Sequence, residues 1–335
     1  MAMQEYERYV LEQYDIDVNS THKIRGAVLC ETDQGPFLLR ETVTATARLQ
    51  ALRGLYENLR RQGYQNVDQI VPNRAGECVT VLEDGSRYLL KRWFQGRECD
   101  VRRPVEILGA SGNLAKLHLL LRGGDQEGVT AAESLEEEYQ RHDRELKKVR
   151  RFVRELSPKG EFETAFLKYF DQMYRWAQAA EELLRESSYA DFYRESIQNS
   201  CIVHGEYNYH NVLMIRDGYG RQGIATVNFE QYKSNVQVED LYYFLRKVME
   251  KQGWKERLGD GMLNAYSAIS PLGEREVEYL KIRLAYPEKF WKTANAYYRS
   301  NKAWISTKSI EKLTTAIAQT KEKERFLNQI FSFHL

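Results

Sequence analysis

The order of the predicted elements along the chain restricts the fold more than any other feature of this sequence. After a short amphipathic helix at 5–14, the apolar pattern of the first 95 residues predicts strand, strand, helix, strand, strand, strand. This order belongs neither to an alternating βαβ sheet nor to an all-β sandwich. It predicts an α+β lobe in which an antiparallel sheet is combined with one main helix.

The bounds of these elements follow from turn residues and from apolar spacing. Ile24–Cys30 and Pro36–Arg40 flank a turn at Asp33–Gly35 and are predicted to form a hairpin. Leucines at helical spacing predict the main helix over 43–62. The three remaining strands are predicted over 67–71, 78–82 and 87–94.

Beyond residue 95 the apolar pattern changes to helical periodicity, which is interrupted by one non-helical island at 202–232. The island holds two short strand-like runs, Val212–Ile215 and Ile224–Phe229, and helical periodicity returns after it. A chain of 335 residues exceeds the usual size of a single core, so two lobes are expected. We predict a small N-terminal lobe at 1–95 and a larger, mainly helical lobe at 96–335.

Charge and hydropathy argue against several classes of partner. Lys and Arg number 49 against 48 Asp and Glu, so the net charge of +1 gives no positive field for wrapping nucleic acid. No stretch of the sequence approaches the roughly 20 apolar residues that a membrane-spanning helix needs. The N-terminal residues show no apolar signal segment. We therefore expect a protein that is synthesised in the cytoplasm without a signal peptide and binds neither nucleic acid nor membrane.

The island carries the residues that point to chemistry. It reads His204-Gly-Glu-Tyr-Asn-Tyr-His-Asn211, followed by a β-hairpin and then by Val227-Asn-Phe-Glu230. Further on, Glu239-Asp-Leu-Tyr242 opens a helix. In the same order, these pieces resemble the aminoglycoside/choline phosphotransferase families, in which a loop H-G-D-x-x-x-x-N precedes a hydrophobic-D-[FWY] strand and then a D-L pair. The resemblance implies a protein-kinase-like fold with two lobes.

The resemblance also implies a role for each matching position. In phosphoryl transfer a carboxylate accepts the proton of the substrate hydroxyl, an Asn and an Asp hold magnesium, and a lysine steadies the phosphates of ATP. By position, Glu206 stands for the catalytic base and Arg40 for the lysine of the third strand. Asn211 and Asn228 stand for the metal ligands, with Glu230 as a substitute carboxylate. ATP and magnesium are the expected cofactors if nucleotide binding survives.

Three of these positions depart from the pattern of a working kinase. Glu206 replaces an aspartate and carries its carboxylate up to about 1.5 Å further out, the length of a C–C bond. A misplacement of about 1 Å can cost roughly a hundredfold in rate. Asn228 removes a full charge beside the metal, and Arg40 replaces a compact ammonium by a planar fork. His204 and Asp240 are kept, and both are expected to shape the loop through hydrogen bonds to backbone, with or without catalysis.

A narrower resemblance is to the spore-coat kinase-like proteins of the CotS type. It rests on Trp93-Phe-Gln-Gly-Arg-Glu-Cys-Asp100, on the loop at 204–211, and on Asp240-Leu-Tyr-Tyr-Phe-Leu-Arg-Lys-Val-Met-Glu250. The resemblance implies a protein deposited in the endospore coat, with other coat proteins as partners. The departures then predict a pseudokinase that acts through protein–protein contacts in coat assembly. Two alternatives stay open: an active phosphotransferase on a small hydroxyl or amine substrate, and a nucleotide or metabolite sensor without chemistry.

Overall fold

The computed structural model describes residues 4–123, 128–216, 220, 222–300 and 307–335 of the chain. The chain packs into two units, and each unit is assembled from two separate stretches of sequence. The first unit comprises Met1–Thr130 and Asn199–Ser234, and the second comprises Ala131–Gln198 and Asn235–Leu335. These packing units differ from the two predicted lobes, 1–95 and 96–335. The predicted lobe boundary near residue 95 therefore stays a prediction.

An antiparallel sheet and one long helix form the N-terminal part of the first unit, as the sequence predicts. In chain order the elements are helix α1 (Glu5–Leu11), strands β1 (Val18–Ile24), β2 (Ala27–Thr32) and β3 (Gly35–Glu41), helix α2 (Thr46–Arg61), and strands β4 (Gln69–Val71), β5 (Thr80–Val81) and β6 (Arg87–Arg92). The strands pair in the order β1-β2-β3-β6-β4, with β5 also bonded to β6, and every pair is antiparallel. Strand β1 escapes prediction because its residues are mostly polar and exposed, and so show no apolar alternation.

Side chains of this sheet alternate between its two faces. Helix α1 covers one face, in a buried apolar cluster that includes Leu39 and Leu90. The register pairs Leu38 with Lys91 across β3 and β6, and Arg40 follows Leu38 by two positions along β3. Arg40 and Lys91 therefore lie on the same face of the sheet, the one turned away from α1.

The rest of the first unit positions two loops. It contains strand β7 (Gly96–Glu98), helix α3 (Pro104–Leu120), and strands β8 (Ile202–Val203), β9 (Val212–Arg216), β10 (Gln222–Thr226) and β11 (Lys233–Ser234). Strand β9 pairs with both β7 and β10, and β8 pairs with β11. One loop, at 204–211, runs from β8 to β9, and the other, at 227–232, runs from β10 to β11. The sequence predicts a strand as far as Phe229, but β10 ends at Thr226, because Asn228 adopts a left-handed conformation and a 3-10 turn follows it.

Helices make up most of the described part of the second unit, which confirms the mainly helical C-terminal part. They are α4 (Leu135–Glu155), α5 (Glu161–Glu186), α6 (Tyr189–Gln198), α7 (Val238–Gln252), α8 (Glu256–Ser267), α9 (Glu274–Ala285), α10 (Glu288–Arg299), α11 (Thr307–Ala318) and α12 (Thr320–Phe331). Ser134 and Glu137 form a capping box that starts α4. Phe166 of α5 and Phe290 of α10 stack inside one buried core. Within the described residues, no helix is both long and apolar enough to span a bilayer.

Candidate functional site

His204 fixes the start of the loop at 204–211 by hydrogen bonds to backbone on both sides of its ring. The backbone N–H of Glu206 donates to Nδ1 over 3.1 Å, so Nε2 carries the ring proton and donates to the carbonyl oxygen of Val227 over 3.0 Å. The imidazole is fully buried and lies 4.3 Å from the ring of Phe229, measured between centroids. These contacts tie the loop to the segment that follows β10.

Gly205 and Glu206 place a carboxylate at the surface of the loop. Gly205 has a φ of +83°, and a Cβ at this position would lie 2.1 Å from the carbonyl oxygen of Gln231, so no side chain fits. The carbonyl oxygen of Glu206 accepts hydrogen bonds from the side-chain amides of Asn208 and Asn211, each over 2.9 Å. The loop therefore holds the backbone of Glu206 in place, while the residue itself is exposed to solvent.

The two asparagines at the predicted metal positions bond to each other. The Nδ2 of Asn228 donates to the Oδ1 of Asn211 over 2.9 Å, and the backbone N–H of Asn228 donates to the Oδ2 of Asp68 over 3.1 Å. Asn228 has φ 66° and ψ 58°, in the left-handed region that asparagine adopts more readily than most residues. The structure thus brings Asn211 and Asn228 together, but the amide oxygen of Asn211 is engaged in a contact within the protein.

Lys91 of β6 is a buried lysine that forms one polar group with Asp68, Asn228, Glu230 and Arg40. Its Nζ is 2.9 Å from the Oδ2 of Asp68 and also forms an ion pair with Glu230. The same Nζ donates to the Oδ1 of Asn228 over 3.2 Å. The side chains of Lys91 and Asp68 are 0% exposed, and that of Glu230 is 12% exposed. Arg40, which is exposed, approaches the same oxygen of Asn228 with its Nη1 at 3.4 Å.

The charges of this group shift the pKa values of its members. Burial on its own lowers the pKa of Lys91, but the charges of Asp68 and Glu230 outweigh burial and hold that pKa above its ordinary value. Burial on its own raises the pKa of Glu230, but Lys91 and then Arg40 outweigh it and hold that pKa below its ordinary value. Burial, followed by the negative charges of Asp68 and Glu230, raises the pKa of Tyr56 well above its ordinary value. The group therefore combines two carboxylates with two cations.

Helix α2 holds the turn after Asn228 through Arg48. The Nε of Arg48 donates to the carbonyl oxygen of Glu230 over 3.2 Å, and its Nη2 donates to the carbonyl oxygen of Tyr232. The guanidinium carbon also lies 4.5 Å from the centre of the Tyr232 ring, which is a cation–π contact. These contacts bind α2 to the segment that carries Glu230.

The donors at these positions do not fit a magnesium ion in their present arrangement. Magnesium takes oxygen donors in octahedral geometry at about 2.0–2.1 Å, usually with help from one or two carboxylates. Here the amide oxygen of Asn211 accepts from Asn228, and the amide oxygen of Asn228 faces two cations. Glu230 is paired with Lys91. A magnesium ion would have to displace the ammonium of Lys91 to reach the oxygens of Asn228 and Glu230, and the amide of Asn228 to reach that of Asn211.

Reasoning from the sequence missed Lys91 and Asp68, although both left a signal. Lys91 follows Leu89 and Leu90 inside a predicted strand, and Asp68 follows Val67 at the start of another. An isolated charge in the interior is costly, so a charged residue of each sign in two apolar strands indicates a buried pair. That signal was available without a structure.

Asp240 belongs to a different packing unit from the other predicted site residues. It is the third residue of α7, it is buried, and it belongs to the second unit. The positions at 40, 204, 206, 211, 228 and 230 all belong to the first unit. The structural role expected for Asp240 stays a prediction.

Comparisons with known proteins give this site a family. Residues 7–330 match the family described as "Spore coat putative kinase YutH". Spore coat protein S of Bacillus subtilis (strain 168) is 25% identical over 324 residues, which cover 90% of this chain and 85% of that protein. An aminoglycoside phosphotransferase from Alicyclobacillus acidocaldarius subsp. acidocaldarius DSM 446 matches with a TM-score of 0.85 at 16% identity, covering 99% of this chain and 97% of that one. A spectinomycin phosphotransferase, solved with ADP and spectinomycin, matches with a TM-score of 0.68 at 11% identity, covering 96% and 99%.

The two kinds of match support different statements. The solved structures share little sequence with this chain and therefore show the fold, which confirms the predicted protein-kinase-like architecture. The family match extends over nearly the whole chain, and the similarity to spore coat protein S agrees with the resemblance found in the sequence. Because the family model matches residues 7–330, the chain belongs to the family described as "Spore coat putative kinase YutH".

Proposed function

We propose that this protein is a pseudokinase of the endospore coat, which acts through protein–protein contacts in coat assembly and does not transfer phosphate. Membership of the family supports the location in the coat, as does the similarity to spore coat protein S. The observation that carries the loss of activity is the buried ammonium of Lys91, held among the residues at the metal-binding positions.

Lys91 completes this group without a metal ion, and its displacement would be costly. Its Nζ contacts Asp68 and Glu230, which are both largely withdrawn from solvent. Breaking a buried ion pair by taking one partner away typically destabilises a protein by about 3–5 kcal/mol. A magnesium ion would have to offset this cost while binding beside Asn228, which brings no charge. We therefore expect the group to keep its present arrangement in the presence of ATP and magnesium.

The alternative function, phosphate transfer to a small hydroxyl or amine substrate, also has an observation in its favour. Lys91 lies on the same sheet face as Arg40, so a lysine is present close to the place where the third-strand lysine is missing. The exposed carboxylate of Glu206 is available as a base. Against this function, the ammonium of Lys91 is fully buried and already contacts two carboxylates, so it has no free side to offer to a phosphate.

Calorimetric titration with ATP, with and without magnesium, separates these two functions. We expect no magnesium-dependent binding by the natural protein. The double variant Lys91→Met/Asn228→Asp removes the internal cation and restores a carboxylate, and we expect it to gain magnesium-dependent binding. Lys116→Met, which replaces an exposed lysine of α3, is the matched control and should behave like the natural protein.

Magnesium-dependent binding by the natural protein, followed by phosphate transfer to an added hydroxyl or amine compound, would overturn the proposal and support the alternative. Binding of ATP without any transfer would support the sensor function instead. Both outcomes are read from the natural protein, so neither depends on how well a variant folds.

The role in assembly is tested in spores. We expect spores that carry Glu206→Gln to assemble a coat with the same protein composition as natural spores, because an exposed carboxylate is altered and no buried contact is lost. Spores without the protein give the reference for a defective coat. A Glu206→Gln coat with the defects of that reference, at normal levels of the variant protein, would show that catalysis is needed.

A further inference from the structure

A second group of ionisable side chains, in the second unit, has the composition of a metal site. Glu138 and His142 lie one turn apart on α4, and Glu288 is the first residue of α10. One potential ligand atom from each residue lies within 4.8 Å of the other two. His142 is 1% exposed and Glu288 is 4% exposed, so these two donors lie in the interior of the unit. This group takes no part in the site described above.

Two polar atoms of this group have no hydrogen-bond partner in the part of the chain that the structure describes. They are the Oε2 of Glu288 and the Nδ1 of His142, and both are buried. A buried polar atom without a partner costs about 1–3 kcal/mol, so folded proteins rarely leave two in one group. A cation bound at this place would take the free oxygen of Glu288 as a ligand.

The ion pairs around the group leave one carboxylate oxygen unused. Arg283 contacts both Glu138 and Glu239, at 2.9 and 2.7 Å. Lys292 contacts the Oε1 of Glu288 at 3.0 Å, which leaves Oε2 as the unused oxygen. The Oε2 of Glu288 is therefore the carboxylate oxygen of this group that remains open to a ligand.

A further cation in this neighbourhood already has a carboxylate of its own. Arg246 of α7 is buried and forms its ion pair with Glu250, one turn further along the same helix. Its Nε and Nη2 have no hydrogen-bond partner among the described residues, so it does not bond to Glu288. Arg246 therefore leaves the free oxygen of Glu288 without a partner.

The donor set selects the class of ion. Magnesium and calcium bind through oxygen, whereas an imidazole nitrogen suits zinc, copper, iron and nickel. Zinc takes a histidine nitrogen at about 2.0–2.1 Å and a carboxylate oxygen at about 2.0–2.2 Å, often with three protein ligands and one open position. The Nε2 of His142 lies 4.0 Å from the Oε1 of Glu138. Donors around a tetrahedral ion with such bond lengths stand about 3.4 Å apart. The three ligand atoms lie within 4.8 Å of one another, so both glutamates would have to rotate towards the ion.

We infer that Glu138, His142 and Glu288 bind one divalent transition-metal ion of the zinc class, which links α4 to α10. The site is independent of the function proposed for the first unit, because it shares no residue with it. A metal there would stabilise the second unit of a working kinase and of a pseudokinase alike.

Cobalt titration of the full-length natural protein, after treatment with a chelator, tests the site directly. We expect the visible absorption of bound cobalt to saturate at one equivalent, and zinc to displace the cobalt and raise the melting temperature. The ring of His142 stacks on Trp291, with 3.3 Å between centroids, so bound cobalt should also quench the fluorescence of that tryptophan.

Two variants assign the ligands. His142→Phe keeps a ring against Trp291 and removes both nitrogens, and Glu288→Gln keeps the shape of the side chain and removes its charge. Each should weaken cobalt binding by more than about a hundredfold, since loss of an outer-shell partner alone costs about 10- to 100-fold. His334→Phe, which replaces an exposed histidine, is the matched control and should bind like the natural protein.

Failure of the natural protein to take up either cobalt or zinc would overturn the inference, whatever the variants do. Uptake that is unchanged in both His142→Phe and Glu288→Gln would overturn it as well, since the ion would then be held elsewhere. Uptake at one equivalent that is lost in both variants and kept in His334→Phe is the supporting result.

Discussion

At the scale of single residues, Lys91 is the residue that most constrains the arrangement of the candidate site. A buried ion pair adds little net stability compared with an apolar pair of the same size, but it is costly to break by removing one partner. Lys91 contacts two carboxylates and an amide oxygen, and its side chain is 0% exposed. The residue is thus a strong constraint on this part of the fold.

Lys91→Met should destabilise the protein by about 3–5 kcal/mol, because Asp68 and Glu230 are left buried without their cation. Urea unfolding followed by circular dichroism measures the change. Adding Glu230→Gln should recover part of the loss, since one uncompensated charge is then removed. The exposed Lys116→Met should change stability by less than about 0.5 kcal/mol. A Lys91→Met variant as stable as this control would show that the pair carries no weight.

Lys323 of α12 gives a prediction about pH. Its Nζ donates to the carbonyl oxygen of Tyr286 over 3.0 Å and lies 5.1 and 5.7 Å from the ring centres of Trp176 and Trp254. Burial lowers the pKa of Lys323 from 10.5 to about 7. In the unfolded chain the amine therefore binds its proton more tightly, so stability should rise with pH between about 7 and 10.5, where the unfolded state holds more protons.

Lys323→Met removes this titration, so its stability relative to the natural protein should be highest near pH 6 and should fall as pH rises towards 10. Urea midpoints at several pH values measure the difference between the two proteins. Lys321→Met, at an exposed position of the same helix, should show a difference that does not change with pH. A constant difference for Lys323→Met as well would contradict the lowered pKa.

At the scale of elements, the loop at 204–211 depends on a glycine. Gly205 combines a positive φ with close approach to the carbonyl oxygen of Gln231, whereas Gly26 has a positive φ with nothing within 4 Å of its would-be Cβ. A substitution at Gly26 therefore tests backbone strain alone, whereas a substitution at Gly205 tests backbone strain together with steric overlap. The comparison shows how tightly the loop is packed against the turn that carries Glu230.

Gly26→Ala should cost about 1–2 kcal/mol, the strain of a left-handed conformation for a residue with a side chain. Gly205→Ala should cost at least about 2 kcal/mol more, because overpacking adds to that strain. Thermal and urea unfolding of both variants give the comparison. Equal losses for Gly205→Ala and Gly26→Ala would mean that the loop moves freely away from Gln231.

Local patterns explain which elements could be predicted from the sequence. Helix α2 and the β2–β3 hairpin were found because their apolar spacing and turn residues are local signals. Strand β1 is polar and gives no such signal, and the left-handed Asn228 ends β10 before the end of the apolar run that predicts it. The motif predicts Asn211 and Asn228 as site residues, whereas the Lys91–Asp68 pair belongs to no motif and is indicated in the sequence by one charged residue in each of two apolar strands.

At the scale of the whole molecule, each packing unit is built from two separate stretches of sequence. The first unit needs 199–234 to supply Asn228 and Glu230 to Lys91. The same stretch supplies the backbone oxygens that Arg48 of α2 contacts. The N-terminal sheet and helix thus depend on chain that is synthesised about a hundred residues later.

A fragment of residues 1–95 should therefore not unfold cooperatively, although the sequence predicts a lobe over this range. Circular dichroism during urea unfolding tests this, with the full chain under the same conditions as the reference. We expect a sloping signal without a transition, because Lys91 and Asp68 lose their neighbours and the apolar face of α2 loses part of its cover. A sharp transition in the fragment would show that the lobe folds on its own.

The positive charge in the candidate site is the side chain of Lys91, so it does not depend on the concentration of a dissolved ion. A bound ion comes and goes with its concentration, and it can be diluted, chelated or exchanged for another. The ammonium of Lys91 is covalently part of the chain, so it is present once per molecule from the moment of folding. The first unit should consequently keep the same shape at any level of magnesium or nucleotide. We expect it to present the same surface to neighbouring proteins whether or not magnesium and nucleotide are present.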